Sequence, residues 1–337
     1  MPQTALIVGC KGPRLNAAEQ EFLSRVKPWG FILFKRNCES AGQITELTQE
    51  FRGLTGYRNA PVFIDQEGGR VQRLGPPSWP SFPPAAVFGA LYARDPEAGK
   101  QAARLGARLI AHELLALGIT ADCLPVADLR RPEGHGIIGD RAYGETVGAV
   151  AELARAAAEG LMEGGVLPVM KHIPGHGRAN ADSHEALPAV AASLAELEET
   201  DFEPFRRLND LPMAMTAHVL YTALDRQFAA TISRKVVHDI IRGHIGFDGL
   251  LMTDDLSMKA LTGSLQERAE RALEAGCDVL LHCNGNLDEM TEIAAVCPVL
   301  AGDAERRAEA ALKRRKSPLD NMNLAEAQGR FSAMLTA

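Results

Sequence analysis

The stretch Lys171-His172-Ile173-Pro174-Gly175-His176-Gly177, closing on Asp182-Ser183-His184, gathers a cation, three imidazoles and a carboxylate. These groups give and take protons near neutral pH, and a loop interrupted by Pro and Gly can present them to a ligand. A second concentration is Asp254-Asp255, where the apolar run Leu250-Leu251-Met252 ends in two carboxylates. One of them could act as a nucleophile or general base; the competing reading is a helix cap. Successive side chains at a strand end point to opposite sides, so only one of the two is expected to face a common site. A third is Asp65-Gln66-Glu67-Gly68-Gly69-Arg70, a carboxylate and a tight Gly-Gly turn suited to hydroxyl recognition. Arg70 and Arg73 could equally pair with Glu67 as ordinary loop ion pairs. Arg141, within Gly139-Asp140-Arg141-Ala142-Tyr143-Gly144, could hold a hydroxyl or carboxylate in its fork, or pair with Asp140 or Asp128.

Metal chemistry is a weaker reading. His172 and His176 are four apart, but Pro174 lies between them and opposes the helix such ligation uses. There is no His-Glu-x-x-His, so no metal and no cofactor are expected. His176 is left open between ligand binding and loop ordering. No Gly-rich phosphate cradle follows a strand with the required Lys, so nucleotide binding has no support.

The elements that would position these residues are legible as a rhythm. Eight short apolar runs read as strands: Thr4–Gly9, Gly30–Phe34, Pro61–Asp65, Ile119–Val126, Leu167–Lys171, Met213–His218, Gly249–Thr253 and Asp278–His282. Between them, Glu97–Leu117, Val147–Met162, Leu194–Leu208, Arg234–His244 and Leu265–Glu274 carry apolar stripes at helical spacing. Gly118, Gly165, Gly246 and Gly276 follow several of these as stop signals. Eight strand–helix units predict a (β/α)8 TIM-type barrel. Asp65, Asp122, Asp128, Lys171, His172, His218, Asp254 and His282 all fall near the C-terminal ends of different strands, the face on which barrel enzymes build their sites. An open sheet would not collect residues from all its strands in one crevice. Leu74–Pro84, with five Pro, reads as an ordered loop. No linker divides the 337 residues, so one domain over 1–337 is expected, with a charged, Ala-rich helical tail from about 302.

Composition narrows the partners. The net charge of -7 argues against nucleic acid. Charged residues make up 23%, as in an ordinary soluble protein. The six Cys show no CxxC spacing, which favours reduced thiols over a disulfide framework. With no signal peptide and no membrane-length apolar run visible, a cytoplasmic protein without membrane contact is expected.

Together, five pieces resemble glycoside hydrolase family 3, and within it the β-N-acetylhexosaminidases of bacterial cell-wall recycling. They are Ile64–Arg73, Gly139–Gly144, Lys171–Gly177, Asp182–His184 and Thr253–Met258. They come in the family's order and span most of the barrel. The resemblance implies a retaining exo-hydrolase that removes a terminal β-linked N-acetylglucosamine. It implies Asp254 as nucleophile, His184 as acid/base and Asp182 hydrogen-bonded to it. It further implies Asp65, Arg73, Arg141, Lys171 and His172 as the residues holding sugar hydroxyls. The aglycone it implies is 1,6-anhydro-N-acetylmuramic acid of a muropeptide, and the protein a monomer. An imidazole acid/base suits this role, because its unperturbed pKa of about 6.5 lets it exchange a proton near neutrality. It also avoids a second carboxylate beside an incoming anion, which leaves phosphate open as an acceptor in place of water. A phosphorylase and an inactive muropeptide-binding sensor are therefore the alternatives.

Overall fold

The computed structural model describes residues 2–132, 134, 136–183, 185–318 and 322–336. Eight parallel strands close into a barrel: β1 (Thr4–Val8), β2 (Pro28–Leu33), β3 (Val62–Ile64), β4 (Ala121–Asp122), β5 (Leu167–Ile173), β6 (Met213–Thr216), β7 (Leu250–Asp255) and β8 (Val279–His282). Each strand pairs with its sequence neighbours, and β8 closes on β1 through Leu6 opposite Leu280 and Val8 opposite His282. This is the (β/α)8 fold, and all eight apolar runs supply a strand.

The period of two along each strand separates two cores. Ala5 and Ile7 of β1 pack inside the barrel with Trp29, Phe63, Val169, Met213 and Met252. Leu6 and Val8 pack outward with Phe31, Ile64, Leu280 and the surrounding helices. A barrel filled in this way is a solid support with no pore through it, so ligands are confined to the loops at its rim.

The helices form where capping and stripe agree. Pro96–Ala116 starts at Asp95, whose carboxylate accepts the amides of Glu97 and Ala98, with Pro at the first turn. Its Ala/Gly face packs on Val147–Glu163 so closely that a side chain at Gly160 would meet the Arg104 carbonyl at 2.1 Å. Leu265–Ala275 ends on Gly276 at φ 110°, a conformation glycine adopts without penalty. Gly302–Arg314 and Leu324–Thr336 follow the barrel; Ala308 and Ala311 of the first pack beneath it, and Phe331 of the second lies against Phe82 and Phe88.

Three expectations need correction. The helix read over Leu194–Leu208 is two short helices, Leu194–Glu199 and Glu203–Arg207. The chain breaks at Thr200–Phe202 because Asp201 is buried against Arg178 at 2.7 Å, and a buried charge must keep its partner. The fourth strand is shorter than Ile119–Val126, since Pro125 has no amide to donate to the ladder; Val126 returns only as an isolated bridge to Lys171. The segment after β3 is a hairpin, Gln66–Gly68 against Val71–Gln72, where a plain loop was expected. Gly68 (φ 93°) makes its turn possible, and a side chain there would meet the Pro83 carbonyl at 2.3 Å.

Candidate active site

At the C-terminal rim lies a cavity of about 270 Å³. Asp65, Arg73, Arg141, Lys171, His172 and Asp254 all line it, together with Phe34, Arg70, Ile137, Ile138, His176, Ser183, Asp255 and Met258. Six of the eight site residues expected from the sequence therefore meet in one place. Asp182 does not line the cavity, although its neighbour Ser183 does. His184 lies outside the described residues.

One wall is a charge network. Asp65, at the end of β3, accepts Lys171 Nζ at 2.8 Å and the Arg73 guanidinium at 2.9 Å. Glu67, two residues on and therefore on the same side of the extended chain, accepts Lys171 at 2.7 Å. It also takes both arms of Arg141 at 2.8 Å each. Burial alone would raise both carboxyl groups. The charges of Lys171 and Arg73 outweigh it at Asp65 and hold that group well below its ordinary value. Arg141 and Lys171 hold Glu67 at about 2. Lys171 is raised despite its burial, chiefly by Asp65 and then Glu67. The wall thus presents three permanent cations and two permanent anions, fixed by each other before any ligand arrives.

These pairings differ from the sequence reading. Arg141 pairs with Glu67, and neither Asp140 nor Asp128 takes it. Arg73 pairs with Asp65, while Arg70 goes to Asp140 at 3.1 Å and to the carbonyl of Ile137. Glu67 joins the site although the sequence motifs do not single it out; its spacing from Asp65 on one extended face is the signal that points to it.

The next wall comes from β5 and the loop after it. The peptide bonds Lys171–His172 and Ile173–Pro174 are cis. Buried Asp128 collects this turn: its carboxylate accepts the amides of His172 (3.2 Å) and His176 (2.6 Å), and its Oδ2 lies 2.7 Å from His172 Nδ1. Burial opposes its ionisation, but the His172 ring outweighs that and lowers its pKa. Asp128 therefore fixes which ring nitrogen of His172 remains for the cavity, Nε2. The ring of His176 stands edge-on to it at 5.5 Å.

The floor holds the two carboxylates of β7. Both line the cavity, contrary to the expectation that only one would. The register against β8 shifts between Met252 and Asp255, and such a bulge re-aims side chains. Their surroundings separate them. Asp255 is used up by structure: Oδ1 accepts the amides of Ser257 (3.0 Å) and Cys283 (3.3 Å), and Oδ2 accepts the Ser257 hydroxyl at 2.7 Å. It is Asp255, not Asp254, that caps the turn. Asp254 accepts only the Asp255 amide, at 2.8 Å among the described residues. Burial would raise its pKa, but the rings of His218 and His172 outweigh that and lower it. His218 is itself fixed, with Nδ1 at 2.7 Å from Thr231 Oγ1 and Nε2 at 3.0 Å from the Asp255 carbonyl. Asp254 is thus an ionised carboxylate with lone pairs free towards the cavity. Asp122, His218 and His282, also expected at the rim, are buried outside the cavity lining.

An ionised carboxylate facing a fixed set of buried charges is an arrangement that a glycosidase can use. The model described as "Glycosyl hydrolase family 3 N terminal domain" matches residues 3–315. The chain belongs to glycosyl hydrolase family 3. It is a glycosidase. A beta-hexosaminidase of Alkalilimnicola ehrlichii is 41% identical over 285 residues, covering 83% of this chain and 80% of that protein. Among solved structures, NagZ from Neisseria gonorrhoeae in complex with N-trifluoroacetyl-D-glucosamine superposes with a TM-score of 0.89 at 32% identity, covering 100% and 99% of the two chains. A family 3 β-N-acetylglucosaminidase from Paenibacillus superposes at 0.86 with 29% identity, covering 98% of this chain and 67% of that one. Among the described residues, no helix is long and apolar enough to cross a membrane, and no three His, Cys, Asp or Glu side chains converge as metal ligands would. All six cysteines are unpaired.

Proposed function

We propose that the chain is a retaining exo-β-N-acetylglucosaminidase acting on muropeptides, in which Asp254 is the nucleophile and His184, oriented by Asp182, is the acid/base. The observation that carries this reading is the contrast at β7: Asp255 has its oxygens engaged, while Asp254 is ionised and open to the cavity. In the first step Asp254 attacks the anomeric carbon as the bond to the leaving oxygen breaks, and His184 gives that oxygen its proton. In the second, water attacks the same carbon, passes its proton to His184 and releases Asp254. Two displacements retain configuration, and the histidine takes the place of the carboxylic acid of most retaining glycosidases. Asp182 orients the imidazole and stabilises its charged form, as the carboxylate does in a Ser-His-Asp arrangement.

Asp65, Arg73, Arg141, Lys171 and His172 hold the sugar hydroxyls. Their network is ordered beforehand, so binding energy is not spent on arranging it. The cavity, about 270 Å³, is near the ~300 Å³ lower end of small-molecule sites and suits a single terminal sugar. The N-acetyl preference is supported by the similarity to gonococcal NagZ, whose bound ligand is an N-acylated glucosamine. The aglycone we propose is 1,6-anhydro-N-acetylmuramic acid with its peptide, met in the cytoplasm by a monomer working as one catalytic domain without a cofactor.

Turnover of an aryl N-acetyl-β-glucosaminide beside the matching aryl β-glucoside, in phosphate and in phosphate-free buffer, tests the reading. Free N-acetylglucosamine from the first substrate in both buffers is the expected result. Sugar 1-phosphate in the phosphate buffer would make the protein a phosphorylase. Binding of muropeptide without turnover of any glycoside would make it a sensor.

A further inference from the structure

We infer that His176 is a positioning residue that sets the segment carrying Asp182 and His184 through a buried anchor, Ser183. The inference rests on the acid/base role proposed for that segment.

Along this stretch Asn180, Glu185 and Ala186 are exposed, while Ser183 is only 4% exposed. Ser183 is held from two directions. Its hydroxyl lies 3.3 Å from His176 Nε2, and its carbonyl accepts the amide of Ala260 at 3.1 Å. Ala260 belongs to the loop that continues from Asp254 and Asp255. One serine therefore ties the segment both to the sugar-holding turn after β5 and to the loop behind the nucleophile.

His176 is built for this contact and poorly placed for another. Its amide is fixed by Asp128 at 2.6 Å, and its ring packs edge-on to His172. Nδ1 is closed off from solvent and has no hydrogen-bond partner among the described residues. Nε2 is occupied by Ser183. Neither nitrogen is left for a sugar hydroxyl. Burial, followed by the neighbouring His172, lowers the ring to about 4, so it is neutral at physiological pH and presents one lone pair and one N–H. The flanking Asp182 and His184 are adjacent in sequence to the anchored residue, so a small shift of Ser183 is passed directly to both.

The test uses His176→Phe, which puts an aromatic ring without nitrogens in place of the imidazole, His176→Gln, which restores a polar group near the Nε2 position, and Ser183→Ala. Each is assayed on aryl N-acetyl-β-glucosaminides of increasing leaving-group pKa, with inhibition by free N-acetylglucosamine and deuterium exchange of amides 178–186. A displacement of about an ångström costs on the order of a hundredfold in a positioned step. His176→Phe and Ser183→Ala should therefore each lose about tenfold to a hundredfold on the poorest leaving groups and little on the best. Inhibition by N-acetylglucosamine should be unchanged, exchange across 178–186 faster, the double variant no worse than either single one, and His176→Gln partly restored. Inhibition weakened about tenfold (1.4 kcal/mol), or a uniform loss with unchanged exchange, would overturn the inference and make His176 a sugar ligand. Faster exchange with a flat leaving-group dependence in these variants and in His184→Ala alike would support the anchor and sink the proton-donor assignment. If His176→Phe fails to fold, Ser183→Ala carries the same readouts.

Discussion

Two sides of one cavity are held in opposite ways. On the side of Asp65, Glu67, Lys171 and Arg141, every charge is buried or nearly so and paired with another in the same network; the Lys171 side chain is 2% exposed and that of Glu67 4%. On the side of 178–186, Asn180, Glu185 and Ala186 are exposed, and among the described residues only Ala179 and Ser183 are buried. In the proposed function the difference separates two jobs. Holding hydroxyls rewards charges fixed in advance, because any reorganisation subtracts from binding. A segment with few buried contacts opens locally at lower free energy than the core, which suits a group that must admit a substrate and release two products.

The comparison can be broken at its strongest point first. Asp254→Asn should lower kcat by on the order of 10⁴-fold or more, as loss of a nucleophile does, while Asp255→Asn should lose far less. Comparable losses in steady-state assays of the two would show that the hydrogen bonds of Asp255 do not separate their roles. Next is the network itself. Lys171→Met leaves Asp65 and Glu67 facing each other without their shared cation, so urea unfolding should show a loss of about 3–5 kcal/mol, the range for breaking a buried ion pair. A loss below about 1 kcal/mol, the range of an exposed pair, would mean the wall is not prearranged.

Acid should reveal the same network. Glu67 titrates at about 2 in the folded protein against an ordinary 4.5. A carboxyl lowered on folding contributes stability that is complete above the unfolded pKa and disappears as pH falls towards the folded one. Melting temperature should therefore drop between about pH 4.5 and 2, and Glu67→Gln should flatten part of that drop from a lower starting point. An equal slope in the two proteins would remove Glu67 from the account. The smallest effect belongs to the opposite side. Glu185→Ala should change stability by no more than about 0.5 kcal/mol, as at exposed surface sites; a loss near that of Lys171→Met in the same urea titration would erase the contrast.

Much of this was legible because barrel strands are buried on both faces and read as unbroken apolar runs. The polar residue that ends each run then marks the rim. The less legible parts are those in which a residue answers to a distant partner. The helix read through Leu194–Leu208 breaks at Asp201, whose partner Arg178 lies 23 residues away. Arg141 and Arg73 were identified as site residues, but their partners, Glu67 and Asp65, follow from three-dimensional distance alone. His176 and Ser183 sat inside recognisable motifs, yet nothing in the motif says that they touch.

From the sequence by itself came the barrel, the family likeness and the placement of Asp65, Lys171, His172 and the Asp254-Asp255 pair at strand ends, because local apolar patterning determines where strands stop. Which of those two adjacent carboxylates stays free was decided only by the tertiary structure. A bulge in β7 turns both towards the cavity, and the Cys283 amide, 28 residues further on, helps to engage Asp255 while Asp254 keeps its lone pairs for the cavity. Hydrogen bonds and charge pairs depend on separations of a few ångströms, and folding brings such separations between residues that the order of the chain leaves far apart.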